Sequence, residues 1–199
     1  MKTPTKRLAF GAAAVAIAAG AYACSLSSAR ERPGALGAAD AAQKVYVAPG
    51  QHDEFYAFLS GGFSGQVAVY GIPSGRLLKV VPVFSQNPEN GWGYNEETKP
   101  MLETSHGFVP WDDSHHPELS QTDGVPDGRW LFINGNNTPR IARIDLTRFE
   151  TDEIIQIPNA AGGHASPFST PDSKYIVSAT RFSVPVPNTD MPIADYKKG

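Results

Sequence analysis

The sequence predicts an all-β chain built as part of a β-propeller, and three observations lead there. Glycine and proline are abundant, 19 and 17 in 199 residues, so turns are many and strands short. From Lys44 onward the apolar residues fall in short alternating runs of β type. A Pro-Asp-(Gly or Ser)-basic-aromatic phrase opening a hydrophobic strand occurs at Pro126 and again at Pro171, an offset of 45 residues. That offset is the period of a propeller blade, a four-stranded sheet that cannot bury its faces alone and must stack on neighbours. A sandwich or a jelly roll uses the same strand grammar and remains open at this point.

The N-terminus reads as an export signal over residues 1–23. Lys2, Lys6 and Arg7 form a positive region, Leu8 to Ala23 is a run of small apolar residues, and Ala21-Tyr22-Ala23 gives an A-x-A cleavage pattern. The run is short and rich in Ala and Gly for a spanning helix, so export rather than membrane anchoring is expected. Lys6-Arg7 is not a twin-arginine pair, which favours export in the unfolded state. Cys24, the only cysteine, follows the cleavage pattern where a lipoprotein precursor carries its lipid, although Ala21 stands where such signals prefer leucine. A periplasmic product with a free terminus is the expectation, and a lipid anchor at Cys24 the alternative. One cysteine excludes an internal disulfide framework.

Residues 24–43, with Arg30-Glu31-Arg32-Pro33-Gly34 and an Ala/Gly run, read as a flexible linker, and residues 44–199 as the folded part. Phe55 to Leu59, Gln66 to Tyr70 and Leu77 to Val81 are expected as three antiparallel strands, separated by Ser60-Gly61-Gly62 and Ile72-Pro73-Ser74-Gly75. Asn87 to Trp111 is aromatic and Gly-rich without alternation, a long connection of the kind that often carries a site. Strands resume at Arg129 to Asn134, Arg140 to Asp145, Glu153 to Pro158 and Lys174 to Ala179. Cys24 to Gly199 is 176 residues, roughly four blades at ~45 residues each, yet only about three blade-like units are visible. The expectation is therefore the front part of a longer protein.

With 41% apolar and 19% charged residues the composition is that of an ordinary globular protein, and a net charge of −3 gives no basic patch for nucleic acid. No nucleophile elbow, phosphate-binding loop, dinucleotide fingerprint or Cys-x-x-Cys pair occurs. What stands out is Asp113-Ser114-His115-His116-Pro117, followed 48 residues after His116 by Gly162-Gly163-His164. Imidazole suits zinc, copper, iron and nickel, and a ligating histidine usually hands its other N–H to a carboxylate, for which Asp113 is the candidate. Adjacent residues on a regular strand face opposite ways, so His115 and His116 are expected on an irregular loop, with Pro117 holding His116 extended. Gly162-Gly163 lets backbone approach closely beside His164. The plainer reading makes the His-His-Pro triplet a surface loop. His52 and His106 read as polar loop residues, and Trp92, Trp111 and Trp130 as packing residues. Asp112, Asp113 and Asp127 show no spacing that singles out an acid/base pair.

The wording of these motifs resembles the N-terminal domain of bacterial nitrous-oxide reductase. The resemblance rests on Asp113 to Pro117, Thr122-Asp123-Gly124, Asp127 to Asn134 and Arg140 to Ile144, with Phe58 to Gly62, Gly65-Gln66-Val67, Ile72-Pro73-Ser74, Pro82-Val83-Phe84 and Gly91-Trp92-Gly93 upstream. It runs from about Val45 to the end of the chain. The signal and Gly162 to Phe168 look like the branch of the family that does not use twin-arginine export. The resemblance implies a seven-bladed propeller, incomplete here, followed in the whole enzyme by a cupredoxin domain. It implies a tetranuclear copper-sulfide centre held by histidine, where nitrous oxide is reduced to dinitrogen and water in denitrification. It implies a dinuclear copper centre in the cupredoxin domain, bound calcium, a head-to-tail homodimer, and a cytochrome c or cupredoxin as electron donor. His115, His116 and His164 match three ligands of the catalytic cluster and Asp113 the carboxylate behind them. The remaining ligands have no counterpart in these residues, so the chain alone is expected to be inactive. The alternative, from another class, is an exported propeller serving as a binding scaffold without catalytic metal.

Overall fold

A computed structural model describes residues 38–158, 160–164 and 166–182. The chain divides into two units, 1–46 and 47–199. Within the first, α1 (Ala38–Val45) is an α-helix. Its alanines favour helix, and an exposed Lys44–Asp40 pair at 3.5 Å places the acid in the first turn and the base in the last, as the helix dipole prefers. The helix overlaps the end of the stretch read as a linker. The stretch read as an export signal, Cys24 and residues 183–199 lie outside the described residues.

The second unit begins with β1 (Phe55–Ser60), β2 (Gln66–Ile72) and β3 (Leu77–Pro82), an antiparallel sheet in the order β1-β2-β3. These are the three strands the alternation predicted. β2 shows why: every second residue faces inward, so Val67 and Val69 are fully buried. The connection that follows holds a 3-10 turn (Lys99–Leu102) and a hairpin of β4 (Glu103–Thr104) and β5 (Gly107–Phe108).

β6 (Ser114–Thr122), β7 (Val125–Gly135), β8 (Arg140–Asp145) and β9 (Glu150–Gln156) then form a four-stranded antiparallel meander in sequence order. β8 has its predicted bounds, β7 starts four residues earlier than expected, and β9 starts three residues early. β6 is a correction. The sequence places His115 and His116 on an irregular loop and predicts no strand over Ser114–Thr122, because a proline and few apolar residues hide a strand whose polar atoms find partners in the sheet. Val67, Val69, Val81, Val83 and Phe84 form one buried cluster with Leu131, Ile133, Ala142 and Ile144. The core thus lies between the two sheets, blade against blade, and the chain is a partial β-propeller.

β10 (Ala161–Gly163) pairs with β13 (Thr180–Phe182), and β11 (Phe168–Ser169) with β12 (Ile176–Val177). The 45-residue repeat is visible in bonding. Asp127 Oδ1 accepts the N–H of Arg129, and Asp172 Oδ1 accepts the N–H of Lys174, both at 3.1 Å. The residues after these aspartates, Gly128 and Ser173, both have positive φ, 68° and 53°. The Arg129 side chain holds the Asp127 carboxyl well below the usual range, and the Thr170 hydroxyl and Lys174 N–H bring Asp172 to about 2. No helix among the described residues is long and apolar enough to cross a membrane.

Candidate metal centre

β6 is not regular. His115 pairs with Asn134, but the next pair is Glu118 with Phe132, so three steps on β6 match two on β7. The extra residue is a β-bulge, which bends the strand and re-aims side chains. Its strain is concentrated at His116, whose φ of 44° lies in the left-handed region. That corrects the expectation of an extended His116 before Pro117. It also corrects the expectation of a loop: both histidines lie on a strand, and the bulge does what a loop was expected to do. The His115 and His116 ring centroids are 5.1 Å apart and nearly perpendicular.

His164 arrives from the other segment. Its ring lies 5.5 Å from that of His115 and 5.3 Å from that of His116. The nitrogens the three rings offer all fall within 4.8 Å of one another, the one such grouping of potential metal ligands among the described residues. Glycine makes this approach possible. A Cβ on Gly162, at φ 70°, would stand 2.6 Å from the Asn136 carbonyl oxygen, and one on Gly163 would be 3.2 Å from that of Gly135. His52 lies in the loop before β1 and His106 in the β4–β5 turn, and neither joins the cluster.

A buried polar network stands behind the rings. Asp113, only 3% exposed, lies with Oδ2 3.3 Å from His115 Nε2 and accepts the Asn136 amide at 3.0 Å. A proton on Nε2, the nitrogen that lies nearest this carboxylate oxygen, would leave the lone pair on Nδ1. In this ring orientation His115 Nδ1 is buried without a hydrogen-bond partner, as is Asp113 Oδ1. An orphaned, buried imidazole nitrogen beside two other imidazoles fits a metal better than it fits packing. Burial first, then the His115 and His164 rings, hold the His116 pKa below its ordinary value, which favours the neutral, ligating form.

Asp112 does different work. Its carboxylate accepts the N–H groups of Asp113, Asn137 and Thr138 and the Thr138 hydroxyl, and meets Arg140 Nη2 at 3.4 Å. Both side chains of that ion pair are essentially inaccessible, at 0% and 1%. The Arg140 guanidinium also lies 4.9 Å from the Phe84 ring centre. Burial pulls the Arg140 pKa down and Asp112 opposes that. The pair fastens the β7–β8 turn to the residues preceding β6, and so acts as a structural brace. Asp127 is likewise committed to its own turn, through Ser120, Thr122 and Arg129. Of the tryptophans, Trp92 is buried, Trp130 packs under the Arg143 guanidinium, and Trp111 is half exposed.

Sequence reasoning missed Asn134 and Asn136. Asn134 ends an apolar run, Leu131-Phe132-Ile133, and is fully buried, with Nδ2 donating to the Gly163 carbonyl at 2.7 Å. A lone amide closing such a run was the available signal.

No family model matches the chain. It is similar to nitrous-oxide reductase from Pseudomonas fluorescens, 39% identical over 182 residues, which is 91% of this chain and 28% of that protein. It is similar to nitrous-oxide reductase from Stutzerimonas stutzeri, 40% identical over 147 residues, 73% of this chain and 23% of that protein. The same name belongs to a relative from Ralstonia nicotianae, 34% identical over 203 residues, 94% of this chain and 31% of that protein. The chain spans less than a third of the length of these curated relatives.

Proposed function

We propose that this chain, a relative of the nitrous-oxide reductases over most of its length, supplies part of a copper centre at which nitrous oxide is reduced to dinitrogen and water. The observation that carries this is the meeting of His115, His116 and His164 from two segments, with one orphaned imidazole nitrogen among them. The overall change is nitrous oxide plus two electrons and two protons giving dinitrogen and water. Bound copper would supply the electrons to a poor, kinetically inert substrate, a task suited to several reduced ions held by neutral imidazoles.

Each residue has a role that follows from its position. His115 would ligate through Nδ1 while Nε2–H rests on Asp113, whose carboxylate fixes both the ring and its tautomer. His116 would be held ready by the bulge, its neutral form favoured by partial desolvation and by the His115 and His164 rings. His164 would complete the face from the glycine segment. A non-glycine residue held at positive φ is of the kind found at functional sites. Under this reading the remaining cluster ligands, the dinuclear copper and the calcium belong to residues other than these. The whole protein is proposed to work as a periplasmic homodimer fed by a cytochrome c or a cupredoxin.

The test is the full-length protein carrying His116→Ala. Loss of turnover with nitrous oxide and of the cluster's visible absorbance is expected, with the fold intact by circular dichroism. Retention of both would remove His116 from the ligand set. A full-length wild-type protein that retains no copper would favour the scaffold reading.

A further inference from the structure

We infer that Asn134 is the positioning residue that sets the separation between His164 and the His115–His116 pair. This rests on the copper reading above but is argued from the chain's own bonds. Asn134 and His115 are direct partners across β6 and β7, so their side chains leave the sheet on the same face. From there Asn134 Nδ2 reaches the carbonyl of Gly163, 29 residues on and immediately before His164, at 2.7 Å. One amide therefore ties the strand opposite one ligand to the residue preceding another. Asn136, two residues further and in the β7–β8 turn, donates to Asp113, whose carboxylate lies 3.3 Å from His115 Nε2. The β7 end thus touches the supports of both histidine segments.

Folding alone does not explain an amide there. Asn134 is fully buried and follows Leu131, Phe132 and Ile133, yet its Oδ1 has no hydrogen-bond partner. An apolar residue would avoid leaving an acceptor unpaired. Among the described residues, β10 is three residues long and shares two Cα pairs with β13. The Asn134–Gly163 bond is the anchor that sets where His164 stands.

The test uses the full-length protein, copper-free, carrying Asn134→Asp, which is isosteric but lacks the donor, and Asn134→Ala. Amide hydrogen exchange over residues 162–164 should quicken by about tenfold, the loss of one net hydrogen bond, while core amides in β7 and β8 change far less. Cu(I), titrated against a competing chelator, should bind about ten- to a hundredfold more weakly. If Asn134 acts through His164, the double variant Asn134→Asp/His164→Ala should bind Cu(I) no worse than His164→Ala alone. Unchanged exchange at 162–164, or copper losses that add in the double variant, would overturn the inference. If His164→Ala itself costs no copper, the copper reading fails instead, and the exchange result alone decides whether Asn134 anchors the segment.

Discussion

His115 and His116 sit on a nine-residue strand inside a four-stranded sheet, whereas His164 follows a three-residue strand held by two Cα pairs. The first segment has a core beneath it: Leu131, Ile133, Ala142 and Ile144 are buried in the cluster shared with β2 and β3. In the second, two glycines lie close to backbone of residues 135 and 136 and one side-chain amide reaches the Gly163 carbonyl. Precision is achieved differently in each. On the sheet, the backbone is rigid enough to hold a strained residue at φ 44°. On the short strand, close approach replaces rigidity, because backbone can lie against the β7–β8 turn only where no Cβ intervenes.

This contrast predicts that damage to the sheet side is global and damage to the glycine side is local. The largest effect belongs to Asp112→Ala. It leaves the Arg140 guanidinium buried without its carboxylate and frees the N–H groups of Asn137 and Thr138. A loss of about 3–5 kcal/mol is expected in denaturant unfolding of the full-length protein's propeller. A loss under about 1 kcal/mol would break the comparison, since the sheet would then be held by something other than this brace.

Gly162→Ala comes next. Strain from placing alanine at φ 70° should cost about 1–3 kcal/mol, and its Cβ would also press on the Asn136 carbonyl. Gly124→Ala is the control, because that glycine has φ 79° and nothing within 4 Å of a built Cβ. The two variants share the backbone penalty, so the excess in Gly162→Ala measures the contact. Exchange should quicken around His164 and not in β7. Equal behaviour of the two alanine variants would mean that close approach at Gly162 is not what places His164.

Much of this was legible in the sequence, and the gaps have physical causes. β2 and β8 were readable because alternation reports a strand with one buried face. The turns at Asp127 and Asp172 were readable because a carboxylate accepting the N–H two residues on, before a left-handed residue, leaves a fixed phrase. The meeting of the three histidines was expected because the resemblance matches all three to ligands of one cluster. β6 was hidden because its inward residues are polar: Ser114 and Ser120 are fully buried and bonded to Gln66 and Asp127 rather than packed in oil. The bulge was invisible for another reason. Pro117 biases His116 toward extended backbone, and only pairing with β7 overrides that preference. Asn134 escaped because local sequence shows a donor but not the carbonyl 29 residues away that receives it.

The smallest effect has the opposite sign, and it tests whether the sheet side stores strain for the site. His116 is a non-glycine residue at φ 44° directly before a proline, so the backbone costs free energy that side-chain packing does little to recover, the residue being exposed. Replacing it with glycine removes the steric conflict at Cβ but adds freedom to the unfolded chain, which cancels part of the gain. For His116→Gly in the copper-free protein, the net expectation is a gain of about 1 kcal/mol, read as a raised denaturation midpoint at unchanged slope. With copper added the order should reverse, because wild type gains binding energy that the variant lacks a ligand to collect. A copper-free variant less stable than wild type would show that the His116 ring stabilises the bulge by itself. The left-handed backbone would then be a product of packing, and a trade between stability and function would not be needed to explain it.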